Sequence, residues 1–179
     1  MFSDPIFCYI AVGSNEGERV VRCEEAAAAL AKLPQTTVTR RSAWYETEPV
    51  IDPAVHVTED RPQWFINGVI EVQTKLSAPA LFHQCLRIEQ QMGRIRIKPK
   101  ALSRPIDLDL LLHGDTVMES EELTLPHPRL HLRRFVLMPL AELAPTLKHP
   151  TLRLTIDELL KRLSDRHQVK LASPAAQHE

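Results

Sequence analysis

The spacing of apolar and polar positions along this chain predicts four β-strands, two helices between them and two further helices near the C-terminal end. Nearly continuous apolar runs or strict alternation mark the strands, and apolar residues three or four positions apart mark the helices. The predicted strands are 6–12, 36–44, 63–74 and 104–112, and the predicted helices are 18–33, 78–92, 134–143 and 155–163. Residues 45–62 have no clear period and are predicted to form a long loop, and 116–118 a brief strand.

The order β-α-β-β-α-β, followed by helices, is typical of an α+β protein with the split βαβ, ferredoxin-like arrangement. In that arrangement two helices cover one face of an antiparallel sheet, and we expect the other face to be open for ligands. The length of 179 residues fits a single domain with a substantial core, which we assign to residues 1–170. Residues 171–179 are mostly small or polar and are expected to form a frayed tail.

The last predicted strand carries two aspartates in an apolar run. Because side chains alternate along a strand, Asp107 and Asp109 should point to one face, and Ile106, Leu108, Leu110 and Leu112 to the other. Two carboxylates about 7 Å apart on a face meant for burial are costly unless their charge is compensated. A Mg²⁺ ion, which takes carboxylate oxygens, waters and phosphate oxygens, would compensate it. Solvated aspartates, or partners of nearby arginines, are the alternatives.

The stretch before this strand is basic. It contains no acidic residue between Gln90 and Ile106 and carries five positive charges, at Arg94, Arg96, Lys98, Lys100 and Arg104. It predicts an anion-binding loop that leads into a metal-binding strand. Since the chain has no Walker A sequence, a nucleotide site here would depend on carboxylate-held Mg²⁺ and arginines. A solvated loop and an RNA-binding patch are the alternatives, and RNA is disfavoured because the central strands lack paired aromatic residues.

Composition and charge are those of an ordinary globular protein. A net charge of −1 gives no reason to expect nucleic acid or an anionic membrane as a partner. No apolar run approaches the length of a transmembrane helix, and the N-terminal residues lack the pattern of a secretion signal. Cys8, Cys23 and Cys85 fit neither a disulfide framework nor a zinc site, so we expect a cytoplasmic protein.

Two further groups of residues are candidates for binding. Phe65 and Asn67 share one face of the third strand, where a ring and an amide can recognise a planar heterocycle. A core aromatic beside a polar edge residue is the plainer interpretation of that pair. His127 lies between two prolines, and the cationic residues that follow it suit either an anion site or a surface loop; they are Arg129, His131, Arg133 and Arg134.

Six short motifs occur along the chain in an order that is highly specific as a set. They are Tyr9-Ile10-Ala11-Val12-Gly13-Ser14-Asn15, Tyr45-x-Thr47-x-Pro49, Phe65-x-Asn67, Gly93-Arg94-x-Arg96, Arg104-x-Ile106-Asp107-Leu108-Asp109 and Leu125-Pro126-His127-Pro128. Together they resemble the 6-hydroxymethyl-7,8-dihydropterin pyrophosphokinase family of folate biosynthesis. The resemblance runs from about Tyr9 to Pro150.

The resemblance implies a chemistry and a set of site residues. The β,γ-pyrophosphoryl group of the co-substrate ATP would pass to the hydroxymethyl oxygen of the pterin, with release of AMP. Two Mg²⁺ ions would be held by Asp107 and Asp109, and these aspartates with Arg94 and Arg104 would carry the catalysis. The residues implied to bind ATP are Glu89, Arg94, Arg96, Arg104, His127 and Arg133.

The same resemblance implies a pterin site. Phe65 and Phe135 would lie on either side of the pterin ring, and Asn67 would bond to its edge. The full set implied to bind the pterin is Gly13, Thr47, Pro49, Val50, Phe65, Asn67, Asp107 and Phe135.

Ala101 and Ser103 depart from the family, which usually has Trp and Pro at these positions, so the closure of the basic loop does not follow from the resemblance. A catalytically inactive relative that binds nucleotide or pterin remains an alternative, as does a ferredoxin-like RNA-binding module. The expected partners are ATP and the pterin, with no nucleic acid and no membrane. The oligomeric state is left open, a monomer included.

Overall fold

The centre of the structure, a computed structural model that describes residues 4–50, 63–95 and 104–172, is a six-stranded antiparallel sheet. Its strands are β1 (Ile6–Ser14), β2 (Thr36–Arg41), β3 (Tyr45–Thr47), β4 (Phe65–Thr74), β5 (Asp107–His113) and β8 (Val169–Leu171). The spatial order is β5-β1-β4-β3-β8, and β2 also pairs with β4, beside β3. Two short strands, β6 (Met118–Glu119) and β7 (Thr124–Leu125), form a separate pair.

Four α-helices lie in the described residues: α1 (Arg19–Leu30), α2 (Ala78–Gln91), α3 (Arg134–Leu143) and α4 (Ile156–Arg162). The predicted bounds of α2 are confirmed within a residue, because its end signals are local. Ser77 caps its N-terminus by accepting from the N–H of Ala80, and Gly93 follows its C-terminus at φ +88°. None of the helices in the described ranges is long and apolar enough to span a bilayer.

One face of the sheet packs against α1 and α2. Ile10 of β1 and Leu108 of β5 are fully buried there, in one cluster with Cys23 of α1 and Leu81 of α2. Apolar positions at helical spacing on the two helices meet alternate positions on the strands, as the sequence pattern predicts. The removal of this apolar surface from water is the main source of stability for this half of the core.

All three cysteines lie buried as free thiols. Burial raises the pKa of Cys8, Cys23 and Cys85 to about 12, so each remains protonated and unreactive at neutral pH.

The opposite face is not open along its length, contrary to our expectation. Leu137 of α3 and Ile156 of α4 are fully buried over it, in a second cluster with Val69 of β4 and Leu111 of β5. The physical reason is that the middle of this face is itself apolar and needs cover from water. The predicted site residues Asn67 and Asp107 lie on this face beside Gly13, nearer the end of β1.

Strand β5 follows the predicted alternation only as far as Leu110. Leu108 and Leu110 belong to the first cluster, whereas Leu111 and Leu112 both belong to the second. The register with β1 shifts between Tyr9, which pairs with Leu112, and Ile10, which pairs with Leu110, so a bulge reverses the alternation. The prediction that Leu112 shares a face with Leu108 was therefore wrong.

Two segments that we predicted as irregular contain strands. Tyr45–Thr47, placed in a long loop by the sequence, forms β3 and pairs with both β4 and β8. Leu171, placed at the start of the frayed tail, pairs with Tyr45 in that same sheet. The rest of the predicted loop, 51–62, and the last residues, 173–179, lie outside the described residues.

Hydrogen bonds around one buried carboxylate join strands β1, β2 and β4 to the end of α3. Glu71 of β4, only 2% exposed, accepts hydrogen bonds from Tyr9 (2.8 Å), Thr39 (2.7 Å) and Arg40 Nε (2.9 Å). Arg40 also donates to the backbone oxygen of Leu143 at the end of α3 (2.6 Å). The hydrogen bond from Arg40 is the largest effect on the pKa of Glu71, and it lowers this pKa below its ordinary value.

Replacing Glu71 by Gln should lower the free energy of unfolding by about 2 kcal/mol at neutral pH, because charge-assisted hydrogen bonds are lost while half-exposed Arg40 can rehydrate. A group with a lowered pKa in the folded state stabilises the fold above its unfolded pKa and loses this effect as pH falls through the folded value. The difference in free energy of unfolding between wild type and Glu71→Gln, measured by urea denaturation, should thus be constant from about pH 8 to pH 5. It should narrow below about pH 4.3.

The matched control is Asp157→Asn, which removes the exposed partner of Lys161 on α4. It should change the free energy of unfolding far less than Glu71→Gln does, because exposed pairs are screened by water. If the difference in free energy of unfolding between wild type and Glu71→Gln does not narrow in acid, the role of the Glu71 charge is contradicted.

Candidate active site

Neighbouring strands bring several predicted site residues into one row across the sheet. Gly13, near the end of β1, pairs with Asn67 of β4 on one side and with Asp107 of β5 on the other. In the next row, Thr47 of β3 pairs with Phe65 of β4. Because residues directly opposite one another point to the same face, the Asn67 amide and the Asp107 carboxylate flank Gly13 on one surface.

Asp107 is held by two arginines, one at each end of the basic stretch. Its Oδ1 accepts from Nη1 of Arg94, its Oδ2 accepts from Nη1 of Arg104, and its side chain is 15% exposed. Burial acts to raise the pKa of Asp107, but the charges of Arg104 and Arg94 outweigh it and leave this pKa below its ordinary value. Asp107 is therefore an anion at neutral pH.

Glu89 of α2 lies behind this pair. Its Oε1 accepts from Nη1 of Arg94 at 2.5 Å and from the backbone N–H of Leu108 at 2.7 Å, and the residue is 1% exposed. Burial acts to lower the pKa of Arg94, but the charges of Asp107 and Glu89 act to raise it and outweigh burial. The pKa of Arg94 therefore lies above its ordinary value, and the guanidinium stays charged. These contacts join the end of α2 to the start of β5; the resemblance had suggested a place for Glu89 on the nucleotide side.

Arg104 has a buried hydrogen-bond donor that the described residues do not satisfy. Among the described residues its Nε has no hydrogen-bond partner, although its Nη1 binds Asp107 and its guanidinium carbon lies 5.9 Å from the centroid of the Phe65 ring. An unsatisfied buried donor costs roughly 1–3 kcal/mol. A phosphate oxygen is an acceptor whose charge and geometry suit a guanidinium. This donor therefore indicates an anionic ligand.

The other end of the row combines a fixed amide with a partly exposed ring. Asn67 Nδ2 donates to Thr47 Oγ1 at 2.6 Å, and both residues are buried. A Cβ at position 13 would lie 2.4 Å from Asn67 Oδ1, so only glycine leaves the amide in this place. Phe65 is partly exposed at this end of β4, as a ring that stacks on a ligand must be.

The segment before α3 supplies further cations to the same surface. Burial and the charge of Arg129 lower the pKa of Arg133, and the charges of Asp109 and Asp107 oppose them, so Arg133 lies within electrostatic range of both aspartates. Its guanidinium carbon lies 5.4 Å from the centroid of the Phe135 ring. The backbone N–H of His127 donates to the oxygen of Leu111 at 2.9 Å, which holds this segment against β5.

The remaining predicted residues are placed less fully. Pro49 and Val50 follow β3 at the limit of a described range, with Val50 49% exposed. Arg96 lies outside the described residues, as do Ala101 and Ser103. Ser14 and Asn15 belong to the first of the six motifs but were given no site role, yet they bind Pro105 and Arg104. The position of Gly-Ser-Asn at the end of a buried strand was the available hint.

The donor set fits Mg²⁺ better than zinc. The described residues contain no group of three or more His, Cys, Asp or Glu side chains that could hold a metal by themselves. A pair of aspartates suits Mg²⁺, because this ion keeps several waters and takes its remaining ligands from phosphates. In this structure the Asp107 carboxylate is paired with two arginines, so a cation that binds there would have to replace them.

The fold and the site define the class of this protein: an α+β domain whose antiparallel sheet brings together a cluster of arginines and carboxylates and a ring-and-amide pair. Residues 9–145 match the model of one family, described as 7,8-dihydro-6-hydroxymethylpterin-pyrophosphokinase (HPPK), and the chain belongs to that family. The match spans most of the described sheet and both arginines that hold Asp107.

Curated relatives agree with this assignment. The chain is 36% identical over 166 residues to 2-amino-4-hydroxy-6-hydroxymethyldihydropteridine pyrophosphokinase of Haemophilus influenzae, covering 93% of this chain and 98% of the relative. It is 41% identical over 135 residues to the protein of the same name in Bacillus subtilis, covering 75% of this chain and 76% of the relative.

Solved structures of HPPK-DHPS share the fold. Wild-type Plasmodium falciparum HPPK-DHPS with pteroate has a TM-score of 0.65 at 14% identity, covering 88% of this chain and 44% of that one. An HPPK-DHPS in complex with substrates has a TM-score of 0.64 at 13% identity, covering 89% of this chain and 43% of that one. The chain thus spans less than half of these two proteins, and at such identities the likeness concerns the fold alone.

Replacing Gly13 by Ala should displace the Asn67 amide, because the added Cβ would overlap its oxygen. The overlap should lower the free energy of unfolding by about 2 kcal/mol, although alanine is the better strand residue. In an Asn67→Ala background the same change should cost less than about 0.5 kcal/mol, since no amide is left to displace. Urea denaturation of the four proteins measures both values, and an equal cost in the two backgrounds would contradict the contact.

Proposed function

We propose that this protein transfers the β,γ-pyrophosphoryl group of ATP to the hydroxymethyl oxygen of 6-hydroxymethyl-7,8-dihydropterin, giving AMP and the pterin diphosphate, in folate biosynthesis. The observation that carries the proposal is the row itself. On one face of the sheet, an Arg104 donor that no described residue satisfies lies beside the Asp107 carboxylate, next to the Phe65 ring and the Asn67 amide. Membership in the pterin pyrophosphokinase family supports the same chemistry.

The fold suits this function as a ferredoxin-like, split βαβ domain occupying residues 1–170. The strand order and the two helices on one face support this assignment. We further place the protein in the cytoplasm, as expected for three buried free thiols.

Asp107 and Asp109 are the residues that would hold Mg²⁺, two ions in this proposal. Bound there, the metal would neutralise phosphate charge and lower the pKa of the attacking hydroxyl. Arg94 and Arg104 would then bind phosphate oxygens in place of Asp107, and the buried Nε of Arg104 would gain an acceptor. Arg96, His127 and Arg133 add positive charge along the triphosphate, while Glu89 keeps Arg94 in place through its 2.5 Å contact.

The pterin ring lies against Phe65, with Phe135 on its other side. Asn67, fixed by Thr47 Oγ1, bonds to the polar edge of the ring, and backbone groups near Gly13, Pro49 and Val50 complete that edge. The hydroxymethyl oxygen then attacks the β-phosphorus of ATP, its bond to phosphorus forms as the bond to AMP breaks, and its proton passes to solvent. Transfers of this kind depend on positioning and charge neutralisation, so the proposal needs no obligatory protein base.

The purified protein, given Mg²⁺-ATP and 6-hydroxymethyl-7,8-dihydropterin, should form AMP and pterin diphosphate in equal amounts, as separated and quantified by chromatography. Formation of ADP would contradict pyrophosphoryl transfer. Pterin binding without turnover would favour a catalytically inactive relative instead. The control is Asp109→Asn, which should fold normally but lose about 100-fold or more in turnover, because a metal ligand is lost. Near-normal turnover of Asp109→Asn would refute the metal role.

Arg104→Ala should lower kcat by about 100-fold, the scale of losing one oriented charge contact to the transition state. The physical reason is that its guanidinium is expected to bind charge that develops on the transferred phosphates. Steady-state kinetics over a range of ATP concentrations measures the effect. A change in KM for ATP with unaltered kcat would instead assign Arg104 to ground-state binding.

A further inference from the structure

We propose that Asn15 is a positioning residue that holds Arg104 in the phosphate site, where Pro105 prevents ordinary strand pairing. The pairing of β1 with β5 ends at Gly13 and Asp107. Beyond it, Pro105 has no N–H to donate, so a regular ladder cannot continue toward Arg104. The inference rests on the proposed function for its kinetic consequence, but the contact itself does not.

Side chains replace the missing ladder. Ser14 Oγ donates to the backbone oxygen of Pro105 at 2.7 Å. Asn15 then binds both backbone groups of Arg104: its Oδ1 accepts from the Arg104 N–H at 2.7 Å, and its own N–H donates to the Arg104 oxygen at 3.2 Å. Asn15 is only 3% exposed, so water competes little for these bonds.

The two bonds from one residue fix the backbone of Arg104 relative to the rigid strand β1. With its backbone held, the side chain reaches Asp107 through Nη1 and lies over the Phe65 ring. The buried Nε, which has no partner in the part of the chain that the structure describes, is then held at a defined place for an acceptor. A long arginine side chain loses conformational entropy when it binds a ligand. If the backbone of the arginine is already fixed, less entropy is lost on binding, so the ligand binds more tightly.

Asparagine suits this position for a chemical reason. Its side chain offers an oxygen acceptor without a charge, so it can hold the Arg104 N–H without competing with Asp107 for the guanidinium. Alanine has no acceptor, and aspartate keeps the acceptor but adds a negative charge close to the phosphate site. Comparing asparagine, alanine and aspartate at position 15 therefore separates the effect of the hydrogen bond from the effect of the charge.

The kinetic test is a double-mutant cycle in the AMP-forming assay. Asn15→Ala should lower kcat by roughly 10- to 100-fold, as a group misplaced by about 1 Å does. In an Arg104→Ala background the same change should alter kcat by less than about threefold, because the arginine that Asn15 positions is gone. Equal losses in the two backgrounds would overturn the proposal.

The matched control for lost stability is Thr74→Ala. Thr74 is fully buried at the far end of β4, and its Oγ1 also bonds to backbone groups: it donates to Gln35 O (3.2 Å), which is distant in the chain, and accepts from the nearby Leu76 N–H (3.1 Å). It should lose stability as Asn15→Ala does but keep its kcat. If Thr74→Ala loses kcat to the same extent, the effect of Asn15 is only structural and the proposal fails.

Hydrogen exchange of the Arg104 amide tests the contact without any substrate. Its protection should fall by about tenfold or more in Asn15→Ala and be retained in Asn15→Asp and Thr74→Ala, because the last two keep an acceptor at position 15. Unchanged protection in Asn15→Ala would refute the proposal. A wild type that forms no AMP but loses this protection in Asn15→Ala would refute the proposed function while leaving the positioning contact in place.

Discussion

The arrangement of the site depends on one buried negative charge. An aspartate at the covered end of a sheet is expensive unless it is paired, and Asp107 is paired twice, with Arg94 and Arg104. These arginines stand at the two ends of the basic stretch, so the single carboxylate draws both ends together beside β5. Glu89 supplies the second negative charge, which leaves two carboxylates and two guanidiniums in balance.

This balance has a consequence for the proposed reaction. A cation can take over Asp107 only if the two arginines find other acceptors, because guanidiniums left beside a bound metal would repel it. The phosphates of a nucleotide supply these acceptors. Metal and nucleotide should therefore each strengthen the binding of the other, and by thermodynamic linkage the two effects are equal.

Local signals in the sequence predicted much of this fold. Ser77 and Gly93 mark the ends of α2, and the alternation from Ile106 to Leu110 puts the aspartates opposite the first core cluster. The bulge at Leu111 could not be foreseen, because it belongs to the register of two strands and leaves no pattern in either one. The cover over the second face could have been foreseen: the apolar run of β1 is nearly continuous, as in strands that are buried on both sides.

The candidate site was predicted in its residues but not in its pairings. Arginine partners for the aspartates were one of our alternatives, and they are what the structure has around Asp107. The contacts of Asn15 and Glu89 join segments far apart in the chain. Such contacts depend on how α2, β1 and β5 pack, and residue types alone do not specify that packing. Arg96 stays a prediction because it lies outside the described residues.

Two polar rows on the same face show how a ligand site differs from a structural network. In one row, Tyr9 and Glu71 pair across β1 and β4, and Arg40 completes the set, donating to Glu71 and to the end of α3. Four residues along β1, Gly13 lies between Asn67 and Asp107, and here the set ends in a buried Arg104 donor that no described residue satisfies. All the polar groups of the first row are paired with groups of the chain, so this row contributes to stability. The second row leaves a donor that an anionic ligand would satisfy, and the proposed function assigns the phosphates of ATP to it.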